Sequence, residues 1–187
     1  MTSATFDPSL RDQVLIACQN RGPDKTVCPS EIAREHLGAS WRDHMPRVRD
    51  AAAWWMDRGR IVATRRGEVV DPTRPGGPIR LRIRGDDRCG ATACGDLINI
   101  GPVCAADLSM VPIATLDDLR RHGATGAFEW VMVDKLHRGV RKNLFHAMYL
   151  YALWGALHDV NCMTLSASVR ETLKDKAAEM RRDLMGD

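Results

Sequence analysis

The stretch "MPRVRDAAAWWMDRGRIVATRRGEVV", Met45–Val70, changes its hydrophobic period from helical to extended at Gly59. Before this glycine, apolar residues recur at the spacing of one buried helix face: Val48, Ala51, Ala52, Trp55 and Met56. After it, residues 60–64 are typical of a strand, 65–67 of a turn and 68–70 of the returning strand. The stretch therefore predicts a helix followed by a β-hairpin, with Val48, Trp55 and Ile61 in the core.

Two further helices are predicted upstream of this stretch. In "TVCPSEIAREHLG", Thr26–Gly38, a short helix starts at Pro29-Ser30-Glu31 and ends at Gly38. An earlier helix opens at Asp7-Pro8 and continues to about Gln19. The hairpin is thus expected to follow three helices.

Downstream, the loop "DPTRPGG", residues 71–77, leads into "PIRLRIR", residues 78–84, where apolar residues alternate with arginines. This alternation is typical of a half-buried strand that returns to the hairpin. Three helices, a hairpin and a returning strand predict a winged helix-turn-helix domain over about residues 5–85. In it, Ser30–Leu37 would be the supporting helix, and Arg42–Arg58 the helix that can enter a DNA groove.

The second half of the chain is predicted to be a separate helical domain. The polar, glycine-rich segment "GDDRCGATACG", Gly85–Gly95, indicates a linker over residues 86–95. Beyond it, residues 96–187 carry helical patterns: one around Gly126–Val133, a long apolar helix over Arg141–Val160 and an amphipathic one after Ser166. The chain as a whole is therefore expected to be mainly α-helical.

Basic charge is concentrated in the first half of the chain. Residues 1–85 carry 15 Lys and Arg against 10 Asp and Glu, whereas residues 86–187 carry 12 against 14. Residues 40–85 contain eleven arginines and no lysine. Such a segment favours a polyanionic partner. A solvated arginine-rich surface, common where Arg replaces Lys in high-GC genomes, explains the same composition equally well.

Four of these arginines are candidate contacts to double-stranded DNA. Arg42 and Arg47 lie near the N-terminal end of the predicted groove helix, where a recognition helix reaches base edges or phosphates. Arg65 and Arg66 stand at the tip of the hairpin, next to Gly67, where a wing contacts the backbone or minor groove. The hypothesis is a transcription-associated regulator that binds duplex DNA through its winged helix.

The alternative hypothesis is a non-enzymatic adaptor that docks on a transcription complex. Trp54 lies off the buried stripe of its helix and would be a possible anchor for a protein partner, although such a residue also packs beneath a wing. The acidic residues Asp43, Asp50 and Asp57 would repel DNA if they shared a face with the arginines. Pairing of those arginines with the three acids would favour the adaptor.

Neither catalysis nor a cofactor is expected from the sequence. It contains no GxxxxGK[ST], no GxGxxG after a strand, no GxSxG and no clustered carboxylate pair. Cys89, Cys94 and Cys104 could bridge a metal, but no second CxxC or paired histidines complete a tetrahedral set. Free thiols and no metal site are therefore predicted.

The sequence favours a cytoplasmic protein that does not span a membrane. The start "MTSATFDPSL" lacks both the basic and the apolar region of a secretory signal. The most apolar run, Leu144–Leu157, is shorter than the ~20 residues that cross a bilayer. Scattered cysteines without CxxC pairs are typical of reduced thiols.

Three blocks of the second half stand out by their order and spacing: "NIGPVCAADL" (Asn99–Leu108), "IATLDDLRRHGATGAF" (Ile113–Phe128) and "NLFHAMYLYALWGALHDVNC" (Asn143–Cys162). Together they resemble the C-terminal domain of the TfoX (Sxy) family of competence regulators, so the complex on which the alternative adaptor docks would be transcription- or competence-related. The resemblance implies a small helical fold with a helix-hairpin-helix. Asn99 and Val103 stand where that hairpin often has Gly and Lys, so a structural or protein-binding role is expected for it. No stretch resembles the family's N-terminal domain, and the competence role is not carried over.

The first half resembles a short bacterial family of unknown function with winged-helix character. The matching stretches, within Arg21–Ile83, are "CPSEIAR", "WRDHMPRVRDAA", "GRIVATRRGEVVDP" and "GPIRLRI". This resemblance implies the fold and no biochemistry. The resulting expectation is a small bacterial protein that binds DNA through its N-terminal domain and has a possible protein partner at its C-terminal domain.

Overall fold

The computed structural model describes residues 8–85, 88–142 and 144–186. Asp7, predicted to open the first helix, lies outside these ranges, as do residues 5 and 6 of the predicted first domain and residues 86 and 87 of the predicted linker. The chain divides into two compact units, Met1–Asp86 and Asp87–Asp187. We call them the N-terminal and the C-terminal unit.

The N-terminal unit begins with three helices: α1 (Pro8–Arg21), α2 (Pro29–Leu37) and α3 (Met45–Asp57). A proline occupies the first turn of α2, where its missing N–H is not needed. The backbone N–H of Cys28 donates to the carboxylate of Glu31 at 3.2 Å, which completes the start of this short helix. The helix ends at Gly38, which has a φ of +63°.

A three-stranded antiparallel sheet follows these helices. Its strands are β1 (Ile61–Arg65), β2 (Glu68–Val69) and β3 (Arg80–Ile83), in the order β2-β1-β3. The hairpin turn between β1 and β2 places Arg66 and Gly67 at φ values of +52° and +88°, as a tight two-residue turn requires. The prediction of a mainly helical chain with a small antiparallel sheet in its first half is confirmed.

The core of the N-terminal unit joins the three helices to the inner face of the sheet. Val48 and Ile61, both predicted to be core residues, are fully buried, together with Leu81 of β3. Trp55 is half-buried, so its prediction as a core residue is wrong. Its Nε1–H donates to the carbonyl oxygen of Arg11 at 2.7 Å, which satisfies the polar edge of an otherwise apolar ring.

We expect Trp55→Phe to lower the free energy of unfolding by about 1 kcal/mol, because it keeps a ring at the site and removes this hydrogen bond. Denaturant titration followed by far-UV circular dichroism measures the loss. Trp130→Phe, at a tryptophan that is 43% exposed, is the matched control and should change stability by less than about 0.5 kcal/mol. Equal losses in both variants would show that the Trp55 hydrogen bond contributes nothing.

The C-terminal unit contains four helices among its described residues: α4 (Pro102–Ser109), α5 (Leu116–His137), α6 (Ala147–His158) and α7 (Ala167–Met185). The helix predicted around Gly126–Val133 is the middle of α5, a longer element that is interrupted at Gly123 (φ +78°, ψ 166°). The apolar helix predicted from Arg141 begins only at Ala147, since Phe145 adopts a φ of +57°. No helix in the described ranges is long and apolar enough to cross a membrane.

A capping box starts α5. The backbone N–H of Asp118 donates to Thr115 Oγ1 at 3.2 Å, while Thr115 Oγ1–H and its backbone N–H donate to Asp118 Oδ2 at 2.7 and 3.0 Å. The hydrogen bond from the Thr115 hydroxyl, with those from backbone N–H groups, lowers the pKa of the Asp118 carboxyl. A carboxyl with a lowered pKa stabilises the fold above its unfolded pKa of about 3.9, and this contribution disappears as the pH falls through the folded value.

We therefore expect Thr115→Ala to lower the free energy of unfolding by about 1 kcal/mol at neutral pH, the usual cost of a lost helix cap. The loss should become smaller in acid, as the pH falls through the folded pKa of Asp118 and the carboxyl becomes protonated in the wild type as well. Denaturant titrations of both proteins at neutral and at acid pH measure it. A loss that grows towards acid would contradict the assignment of Thr115 as the cap that lowers the pKa of Asp118. Ser166→Ala removes the side-chain cap of α7 and is titrated in the same way for comparison.

The structure differs from the prediction of a linker over residues 86–95, because the part from residue 88 onward is bound to the C-terminal unit. Arg88 Nη1 and Nη2 donate to the carbonyl oxygens of Ala156 and Leu157 at the end of α6, both at 2.7 Å. The backbone N–H of Cys94 donates to the carbonyl of Ala114 at 2.8 Å. Glycines and polar residues indicated flexibility here, whereas the partners that fix the segment are distant in the sequence.

Candidate nucleic-acid interface

The segment between α2 and α3, residues 38–44, forms a compact turn that we call the α2–α3 turn. Gly38–Ser40 makes one 3₁₀ turn. The backbone N–H of Trp41 donates to Gly38 O, and that of Met45 to Arg42 O, both at 3.3 Å. These bonds fix Arg42 immediately ahead of the first turn of α3.

Two arginines contact one indole ring at this turn. The central carbons of the Arg34 and Arg42 guanidinium groups each lie 4.6 Å from the ring centroid of Trp41, within cation–π range. Both arginines are exposed, and Trp41 is half-buried. Neither arginine has a hydrogen-bond or ion-pair acceptor among the residues that the structure describes. Arg42 was predicted from the sequence as a DNA contact, whereas Arg34 and Trp41 were not.

Arg47, the second candidate at the start of α3, is engaged within the unit. Its Nη1 lies 3.5 Å from Nδ1 of His44, and its side chain is half-buried. Arg49, two residues on, donates to the carbonyl oxygen of Pro72 at 2.7 Å and so points back onto the unit. Of the two predicted residues at this end of α3, Arg42 is thus the more accessible.

The other two candidates lie at the hairpin and differ in exposure and in hydrogen bonding. Arg66 is exposed at the turn and has no hydrogen-bond or ion-pair acceptor in the described part of the chain. Arg65 is half-buried; its Nη2 donates to the carbonyl oxygen of Arg74 at 3.4 Å, and its guanidinium lies against Gly76. A side chain at Gly76 would collide with that group. Arg66 is therefore directed to solvent, whereas Arg65 braces the loop that leads to β3.

Acidic residues accompany the arginines of α3. Asp43 and Asp50 are both exposed. Loss of hydration, and then the nearby charge of Asp71, raise the pKa of the Asp50 carboxyl. Arg58 Nη1 lies 3.9 Å from Asp57 Oδ2, a loose pair near the end of the helix. Of the three acids that would repel DNA if they shared a face with the arginines, Asp43 and Asp50 lie at the surface, whereas Asp57 is buried.

Trp54, the possible anchor for a protein partner, already has cationic neighbours on its ring. The guanidinium carbons of Arg58 and Arg11 lie 3.6 and 4.3 Å from the ring centroid. The ring also meets that of Trp55 edge-on at 4.6 Å. The structure therefore shows Trp54 as a half-buried part of an internal stack rather than as an open apolar anchor.

The hairpin that precedes α4 is held by Asn99, which takes a left-handed φ of +69°. Its Nδ2–H donates to the carbonyl oxygen of Val160 at 2.8 Å, and its Oδ1 accepts from the backbone N–H of Cys162 at 3.0 Å. Asn99 thus joins the hairpin to the segment after α6. This contact supports the structural role expected for a hairpin without the usual Gly and Lys.

Three large apolar side chains in and after that hairpin are exposed. Val103 and Met110 of α4 and its following turn are 74% and 59% exposed, and Ile98 is 41% exposed. Single exposed apolar residues are ordinary, whereas several on one short segment favour contact with another protein.

The cysteines of the described residues are free thiols. Cys18 of α1 and Cys94 of the C-terminal unit are buried, and burial raises the pKa of Cys18 to about 12 and that of Cys94 to about 11. No group of three or more His, Cys, Asp or Glu side chains in the described ranges could hold a metal ion.

Comparison with known families separates the same two halves. The model described as "Protein of unknown function (DUF3253)" matches residues 7–84, and the model of the TfoX C-terminal domain matches residues 92–177. Both resemblances identified from the sequence are confirmed. No curated protein matches the chain. The second half is thus similar to the TfoX C-terminal domain, and the first match adds no biochemical role.

Proposed function

We propose that this chain, similar in its second half to the C-terminal domain of competence regulators, is a DNA-binding, transcription-associated regulatory protein. Its N-terminal unit would act as a winged helix that contacts double-stranded DNA. The observation that carries the proposal is the pair Arg42 and Arg66, which are exposed and lack an acceptor among the described residues. They stand at the turn just ahead of α3 and at the hairpin turn, the two places where a winged helix meets a duplex.

Five other arginines of the N-terminal unit support the same assignment by contrast, because each already has an acceptor within the unit. Arg49, Arg65 and Arg82 donate to backbone carbonyls, and Arg21 and Arg80 share the carboxylate of Glu31. A guanidinium held by an acceptor is less free to reach a phosphate, whereas Arg42 and Arg66 are not held in this way. Arg47 and Arg65 remain in the proposed contact set as secondary contacts, because each is partly exposed.

The test is the salt dependence of duplex binding by the full chain. If about four phosphates are neutralised, log K falls with log[salt] at a slope near −3.6. Arg42→Gln with Arg66→Gln should flatten this slope by about 1.8 and weaken binding by about 10- to 100-fold at moderate salt. Gel shifts on random and genomic duplexes over a salt series measure both quantities.

The matched control is Arg21→Gln with Arg82→Gln, which removes the same charge from the same unit at arginines that already have acceptors. It should leave the slope almost unchanged. Equal flattening in both double variants would mean that net charge alone attracts DNA. Failure of the wild type to shift any duplex at about 50 mM salt and micromolar protein would end the proposal.

A second candidate is the non-enzymatic adaptor, which the exposed Ile98, Val103 and Met110 favour. It would dock on a transcription or competence-related complex through α4. Co-purification with such a complex that is lost in Val103→Asp and kept in Val160→Asp, at a residue 36% exposed, would support it. Strong duplex binding without any protein partner would eliminate it. Both candidates place the chain in the cytoplasm and require neither an enzyme activity nor a cofactor.

A further inference from the structure

We propose that Trp41 positions Arg34 and Arg42 as a paired contact to neighbouring phosphates of duplex DNA. We call Arg34, Trp41 and Arg42 the Trp41 cluster. This inference rests on the proposed function and deepens it, because it assigns two residues, Arg34 and Trp41, that sequence patterns did not single out.

The geometry of the Trp41 cluster brings two cationic groups close together. Each guanidinium carbon lies 4.6 Å from the ring centroid, so the two cationic groups are at most about 9 Å apart. A guanidinium that rests on an aromatic face keeps its in-plane N–H donors available for another partner. The ring can therefore hold both side chains while leaving their hydrogen-bonding edges unused.

The second argument is the absence of an internal acceptor. Arg34 and Arg42 have no hydrogen-bond or ion-pair partner among the described residues, although Glu35 and Asp43 are their chain neighbours. Two cations that meet at one ring repel each other, and an anion between or beside them relieves that repulsion. The chemistry of the cluster thus fits a polyanion with regularly spaced charges.

The third argument is the position of the cluster in the chain. Arg34 belongs to the last turn of α2, and Trp41 and Arg42 belong to the α2–α3 turn, whose own backbone hydrogen bonds close it. Contacts from this part of a helix-turn-helix go to the DNA backbone and set the register of the helix in the groove. Side chains that are held before binding lose less conformational entropy when they bind.

The experiment measures duplex binding by the full chain over a salt series. Arg34→Gln should flatten the slope of log K against log[salt] by about 0.9, the value for one phosphate contact. Trp41→Ala removes no charge, but it should weaken binding by about three- to tenfold because it releases both arginines. Trp41→Phe keeps an aromatic face and should recover most of that loss.

A double-variant cycle tests whether Trp41 positions Arg34 for binding or only stabilises the fold. In the Trp41→Ala background, Arg34→Gln should weaken binding less than it does in the wild type, because the two changes act on one contact. Thermal unfolding of Trp41→Phe and Arg34→Gln should match the wild type. Arg21→Gln, whose side chain is paired with Glu31, is the charge control and should leave the slope unchanged.

The outcomes distinguish this inference from the proposed function. If the wild type binds duplexes and Arg66→Gln flattens the slope, yet Arg34→Gln and Trp41→Ala change nothing, the cluster is not a contact and the inference is overturned. Additive effects of Trp41→Ala and Arg34→Gln would also overturn it. If no duplex is bound by the wild type, the proposed function fails, and the cluster assignment fails with it.

Discussion

Replacing Phe128 by alanine will lower the free energy of unfolding of the C-terminal unit by about 3–5 kcal/mol, the range for large buried aromatic side chains. Phe128 is fully buried on α5. Its ring meets that of Phe145 edge-on at 6.3 Å and lies 6.0 Å from that of Tyr149. Alanine would lose these contacts and leave a cavity that rigid helices on either side cannot fill.

Denaturant titration of the full chain, followed by circular dichroism and by hydrogen exchange of peptides from α5 and α6, measures this loss. The control is Trp130→Ala, two residues along the same helix, at a larger side chain that is 43% exposed. It should cost less than about 1 kcal/mol. Comparable losses at residues 128 and 130 would show that the buried face of α5 is assigned incorrectly.

The second large effect is expected at a buried ion pair between α4 and α5. Asp107 is 8% exposed. Lys135 Nζ lies 2.5 Å from Asp107 Oδ2 as an ion pair, although this oxygen accepts no hydrogen bond of regular geometry. Arg138 Nη2 lies farther away, 3.7 Å from Oδ1. Lys135→Met should therefore lower the free energy of unfolding by about 3 kcal/mol, because it leaves a buried carboxylate without its nearest counter-charge.

The double variant Lys135→Met with Asp107→Leu decides the cause. Since it removes both charges and fills the space with apolar groups, it should recover most of the stability lost in Lys135→Met. The same titrations measure the three proteins, and the coupling between the two sites follows from the cycle. A double variant no more stable than Lys135→Met would show that packing, rather than the unpaired charge, explains the loss.

The N-terminal unit was predictable because its signals are local. The change of period at Gly59 places the end of α3 and both ends of β1 within one residue of the observed bounds, whereas α3 begins at Met45, three residues after the predicted Arg42. The Arg66-Gly67 pair marks the hairpin turn. Trp55 was misassigned because its position in the helical stripe could not show that its Nε1–H meets the carbonyl of Arg11.

The C-terminal unit was less predictable, because distant partners fix its details. The sequence predicted a helix only around Gly126–Val133, whereas α5 starts at Leu116 and is interrupted at Gly123. Residues 88–95 have the composition of a linker, but Arg88 is bound to carbonyls 68 and 69 residues away. No local pattern contains such a contact.

The candidate interface likewise combines residues with a local sequence signal and residues that only the folded turn brings together. Arg42 and Arg66 were found because they lie next to a predicted helix start and a predicted turn. Arg34 and Trp41, seven residues apart, come together only because the α2–α3 turn folds back. Arg65 looked equivalent to Arg66, but the conformation of the loop at Gly76 gives it a different role.

The buried thiols of Cys18 and Cys94 can report separately on the opening of the N-terminal and the C-terminal unit. Only the thiolate reacts with an alkylating reagent, and burial both shields the two thiols and raises their pKa values to about 12 and about 11. Each group should therefore react far more slowly at neutral pH while its unit stays closed, so that the rate of alkylation reports how often that unit opens. Mass spectrometry of the alkylated peptides can time the two openings separately in one sample.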